Sequence, residues 1–103
     1  MADRMYTPGD LKYLVEMTAS GFNMDTDEWS VGVKCGSKIV HTYTKDECIR
    51  DDNGHWYVCI EKEVLKKGDL YLIAFAEVPD DDFSDGVRSE CEKSPKLGNL
   101  ESL

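Results

Sequence analysis

The densest run of carboxylates in the chain is Asp80-Asp81-Asp82, followed closely by Asp85. Calcium takes about six to eight hard oxygen ligands from a flexible loop, so Asp80, Asp82 and Asp85 are the candidate metal ligands. Their spacing is not that of an EF-hand, and a charged loop is ordinarily solvated. The expectation is therefore no metal and no cofactor. A second acidic group, Asp25, Asp27 and Glu28, would suit acid–base work if burial split two carboxyl pKa values. It lies in a loop-forming stretch, where a solvated surface or a helix-start cap accounts for it. His41 and His55 are the two histidines, and Cys35, Cys48, Cys59 and Cys91 are the four cysteines. A cysteine beside a histidine would make a nucleophile with its base, but the local signatures of cysteine proteases are absent. No Cys-x-x-Cys pair offers structural zinc a site. The chain is expected not to be an enzyme, and its cysteines to be free thiols that pack as small hydrophobes.

Aromatic side chains are the other chemically useful set. Trp29, Trp56, Tyr57, Tyr71 and Phe75 are of the kind that line sugar and peptide grooves, but a domain this small needs such residues for its core. Tyr57 from this set and two further aromatics are the candidates for touching a partner. Tyr43 and Tyr57 stand off the main apolar patterns. Phe83 sits alone in an acidic loop, where it is either a plug under its own loop, the favoured reading, or an exposed anchor.

The elements that must carry these groups follow from composition and periodicity. A length of 103 residues allows one hydrophobic core. Apolar residues at 41% are enough to build it, and charged residues at 32% keep it dissolved. The formal net charge of −9 repels phosphate, which excludes nucleic acid and disfavours anionic membranes as partners. The longest apolar stretch, Leu70 to Ala76, is too short to span a bilayer. With no visible secretion signal, the chain is expected to be soluble and made in the cytoplasm.

Leu11, Tyr13, Val15 and Met17 alternate with polar residues and predict a first strand. Residues 20–28 predict a connection. Trp29, Val31, Val33 and Cys35 predict a second strand whose tryptophan enters the core. Lys38 to Thr44 predicts a third, with Ile39, His41 and Tyr43 on one face. Asn53-Gly54 marks a tight hairpin turn. Trp56 to Ile60 predicts a central strand, and Leu70 to Val78 a strand buried on both faces. Glu63 to Gly68 predicts one helical turn or a tight loop, and Val87 to Cys91 a short closing strand. The result is an all-β fold, a single immunoglobulin-like antiparallel β-sandwich of six to seven strands, with a small β-barrel as the alternative. Residues 1–10 are expected to form an N-terminal arm, 11–92 the sandwich, and 93–103 a mobile tail.

Gly68-Asp69-Leu70-Tyr71-Leu72, then Glu77-Val78-Pro79-Asp80, then Asp82-Phe83-Ser84-Asp85-Gly86 form an ordered signature. It resembles small β-sandwich proteins of phage and prophage tail regions in gut bacteria, over residues 68–88. The resemblance implies an immunoglobulin-like structural module of a tail or baseplate, a virion protein acting through contacts with itself or other tail proteins, and it supplies no catalytic residue. Strand addition at an open sheet edge is one such contact. The alternative function is a β-sandwich that binds a small ligand or carbohydrate.

Overall fold

A computed structural model of the chain describes residues 4–7 and 12–100. Nine strands are described: β1 (Arg4–Thr7), β2 (Lys12–Met17), β3 (Glu28–Cys35), β4 (Lys38–Thr44), β5 (Ile49–Arg50), β6 (Trp56–Glu61), β7 (Gly68–Pro79), β8 (Val87–Lys93) and β9 (Gly98–Leu100). Helical structure among these residues is confined to two 3-10 turns, Lys45–Glu47 and Lys62–Val64. The strands form two antiparallel sheets, ordered β1-β2-β6-β5 and β4-β3-β7-β8, with β9 pairing β7. This is the constant-type immunoglobulin order with β4 added at one edge. Each sheet has free edges, so the fold is a sandwich and not a closed barrel.

Alternation fixes what lies between the sheets. Val15 and Met17 of β2 and Val58 and Ile60 of β6 face Trp29, Val31 and Val33 of β3 and Leu70 and Leu72 of β7, all buried. Trp29 meets Trp56 of the opposite sheet edge-on, 5.2 Å between centroids at 85°, a favoured geometry for aromatic pairs. No disulfide links the sheets, and all four cysteines are free.

Several expectations need correction. Part of the N-terminal arm is a strand, since β1 pairs with β2 from Arg4↔Val15 to Thr7↔Lys12. The C-terminal tail is docked as far as Leu100. β9 takes up the edge of β7 beyond the end of β8, helped by the Leu97 N–H donating to the Leu70 carbonyl at 2.8 Å. Leu11 lies outside the described residues. The face assignment of β4 fails at a bulge: Val33 opposes His41 while Lys34 opposes Ile39, leaving Val40 as the extra residue. Ile39 is thereby turned outward while Tyr43 points in.

One junction depends on glycine. Gly68 sits at φ +123°, and a Cβ there would lie 2.6 Å from the Gly36 nitrogen. Only a residue without a side chain lets β7 begin so close to the β3–β4 turn.

Candidate interaction face

The residues singled out for chemistry are held by structural bonds. Asp80 accepts from the Asp82 N–H at 3.0 Å and from the Arg88 guanidinium at 3.0 Å. These same bonds hold its carboxyl below the ordinary range. Asp85 accepts from the Val87 N–H, and among the described residues no acidic, histidine or cysteine cluster is arranged to hold a metal. Of the calcium candidates, Asp80 and Asp85 shape the tight β7–β8 loop through their carboxylates and Asp82 through its N–H. Asp25 takes hydrogen bonds from Arg50 Nε at 2.9 Å and Trp56 Nε1 at 2.8 Å on one oxygen, which lowers its pKa. Lys45 Nζ donates to the Asp25 and Asp27 carbonyls. The acidic group at 25–28 thus tacks the β2–β3 loop across the end of the sandwich.

The histidines and thiols also have separate partners. His41 packs on Tyr43, 4.5 Å between ring centroids, and His55 faces Asp51 and Glu16. Cys48 donates to the Thr44 carbonyl, and burial, aided by the charge of Glu47, pushes its thiol up to about 12. Such a thiol is not a nucleophile at neutral pH.

The three partner-binding candidates end up in three different places. Tyr43 is 8% exposed and belongs to the core, where its hydroxyl oxygen accepts from the Glu61 N–H at 3.4 Å and burial raises its pKa. Its position across from Val31 puts it on the inner face of β4, so it is withdrawn as a surface candidate. Tyr57 is half-buried on the outside of the four-stranded sheet and donates to Asp51 at 3.2 Å. Phe83 is 48% exposed, so the plug reading is wrong. The backbone bonds Phe83 N–H to Asp80 O and Gly86 N–H to Phe83 O hold it at the loop tip.

A surface absent from those expectations lies on the outside of the five-stranded sheet. Directly paired residues share a face, and the register defines four successive rows there: Glu28, Glu77 and Ser89; Thr44, Ser30, Phe75 and Cys91; Thr42, Gly32, Ile73 and Lys93; Ile39, Lys34 and Tyr71. The middle of this face is apolar and open. Ile39 is 47% exposed and Phe75 37%. They converge over Gly32, where an added Cβ would lie 3.2 Å from Ile39 Cγ2 and 3.4 Å from Phe75 Cε2. Absence of a side chain at Gly32 lets the two lie down into one low ridge.

Charge is sorted to the two ends of that ridge. Glu28 and Glu77 oppose each other at one end, an unfavourable like-charge pair. At the other end Lys93 Nζ lies 4.0 Å from the Tyr71 centroid and Lys34 Nζ 5.8 Å. The ion pairs among the described residues, made by Arg50, His55 and Arg88, use none of these four charges.

Strand addition at an edge has less to recommend it. The edge strand β8 turns Arg88, Glu90 and Glu92 towards the inter-sheet side, in register with Val78, Ala76 and Ala74, and β4 is bulged. Both are devices that blunt an edge. The space between the sheets beside Met17, Met24, Trp29 and Leu72 is about 90 Å³, while two surface hollows of about 330 Å³ each, one at Ser30, Thr44 and Phe75 and one at Asn23, His55 and Trp56, stand at the low end of the roughly 300–1,000 Å³ of small-molecule sites.

The open face was missed in the sequence because Leu70 to Val78 reads as apolar on both sides, which suggests cover on both. Its outer set, Tyr71, Ile73 and Phe75, was assigned to the core. No family model matches the chain, and the comparisons with curated proteins and with solved structures found no match. No helix among the described residues is long and apolar enough to cross a membrane.

Proposed function

We propose that this chain is a non-enzymatic assembly module, an immunoglobulin-like sandwich that works through protein–protein contact, in the structural role its resemblance to phage-tail proteins implies. The observation that carries the reading is the outer face of β4-β3-β7-β8, where an exposed apolar ridge is flanked by four charges that make no ion pair among the described residues. Exposed apolar area rimmed by polar groups marks interaction sites on soluble proteins.

The test is retention of a partner from a lysate of the producing cells by immobilised wild-type chain, Ile39→Lys/Phe75→Lys chain and Phe83→Ser chain. A partner held by wild type and Phe83→Ser but released by the double variant supports the face. A partner released only by Phe83→Ser would move the working surface to the β7–β8 loop, and one held equally by all three would overturn the face.

A further inference from the structure

The pattern on the face is self-complementary. We infer that its occupant is a second copy of this chain, in a face-to-face dimer whose two-fold axis lies in the interface and runs across the strands. The inference rests on the reading that this face makes the chain's contacts, and adds the identity of the partner.

The argument is one of register. An axis running across the strands, between the Phe75 row and the Ile73 row, reverses the order of the four rows and keeps each strand over its own copy. The Glu28–Glu77 row of one copy then lies over the Lys34–Tyr71 row of the other. Glu28 meets the second copy's Lys34. Glu77 meets the second copy's Lys93, whose ammonium rests on Tyr71. Phe75 of each copy lies over Ile73 of the other. An isologous interface needs such a surface, on which each half of a patch complements its other half. Both ends gain opposite charges, and the like-charge cost at Glu28↔Glu77 is relieved on association.

Area sets the strength. Eight residues of β3 and four strands span about 27 Å by about 19 Å, or about 500 Å² per copy. A standard stable interface buries about 800 Å² per partner, so the dimer is weak and in exchange with monomer. The overall charge of −9 on each copy adds long-range repulsion. The low ridge over Gly32 allows the close approach that so small an area needs.

The experiment is sedimentation equilibrium from about 10 μM to about 1 mM, the range in which weak association is read. It uses wild type, Glu28→Lys/Glu77→Lys, Lys34→Glu/Lys93→Glu, and the equimolar mixture of the two variants. Wild type is expected to rise from 11.7 kDa towards twice that mass. Each variant presents one sign of charge over the whole face and is expected to lose association at least tenfold. Mixing restores it, because every position is then opposed by the other sign. Phe75→Lys, checked for an unchanged melting curve, is a second disruptor. Wild type that stays monomeric at the top concentration overturns the dimer and leaves the face to a different protein, which the retention experiment reads separately. A wild-type dimer insensitive to all of these substitutions overturns both the dimer and the face.

Discussion

Glu92 gives the sharpest stability prediction. Although it lies on edge strand β8, it points to the inter-sheet side and holds the β2–β3 loop. Its carboxylate accepts from the Gly21 N–H at 2.7 Å, the Ser20 N–H at 3.0 Å and the Ser20 hydroxyl at 3.2 Å. Partial burial works to raise its pKa, and these hydrogen bonds outweigh burial to leave it below the ordinary value. A hydrogen bond to a charged group is worth about 1.5–3 kcal/mol when shielded. Only the Gly21 bond is partly shielded here, and screening by water discounts the other two heavily. Glu92→Gln keeps one acceptor oxygen and loses the charge, which should cost about 1 kcal/mol at neutral pH.

The sign of the pH dependence follows from linkage. Because the folded carboxyl is the stronger acid, the unfolded chain holds the proton over the intervening range, and stability rises with pH there. The contribution is complete above the ordinary glutamate value of about 4.3 and is lost as pH falls through the lower folded value. The assay is urea unfolding followed by tryptophan fluorescence at several pH values. At pH 7 the midpoint of Glu92→Gln should fall by about 0.5–1 M, and the gap between variant and wild type should close as pH drops below about 4. The lowered carboxyls of Asp25, Glu47, Asp51 and Asp80 are common to both proteins and cancel in the difference. A gap unchanged across the acid range, or no gap at pH 7, would refute the role given to Glu92.

Other substitutions separate core from surface. Tyr43→Ala should destabilise by about 3–5 kcal/mol, since it empties a core position, whereas Phe83→Ala should stay within about 0.5 kcal/mol by urea melts. Gly68→Ala should cost about 2–4 kcal/mol, read the same way, from left-handed backbone strain together with the collision with Gly36. Thiol labelling at pH 7.5 should modify exposed Cys91 well before Cys48, whose thiol is pushed up to about 12, with mass spectrometry of peptides assigning the order. Millimolar calcium should leave the thermal midpoint unchanged, because Asp80 is already bonded to Arg88 and Asp82.

Much of the sandwich was legible because its central strands carry strong patterns. Trp29-x-Val31-x-Val33-x-Cys35 alternates cleanly and becomes β3 with that set buried. Asn53-Gly54 marks a real turn, with Gly54 at φ +85°, although its hairpin partner is the two-residue β5. The short strands were not legible: β1, β5 and β9 are two to four residues long, and their existence depends on a neighbour's edge more than on their own periodicity. The bulge at Val40 defeated the face assignment of β4, because one inserted residue inverts the parity that alternation relies on. The same inversion hid the candidate face by putting Ile39 and Tyr43, which alternation places together, on opposite sides of the sheet. Phe75 and Ile73 were hidden for another reason: periodicity reports which residues are apolar, not whether a second layer covers them. The charge pairing across the face is a property of four strands in register, which the order of residues along the chain does not display.

The most direct test of the central claim, that the outer face of β4-β3-β7-β8 is the working surface, is a dilution series of amide NMR spectra from about 1 mM to about 20 μM. Concentration-dependent shifts should concentrate at Gly32, Ile39, Ile73, Phe75 and Cys91, with Val15, Ile60 and Phe83 unmoved. Spectra that do not change with concentration would overturn the dimer and leave the face to a different protein, whereas shifts confined to the Phe83 loop or the Tyr57 face would contradict the claim itself.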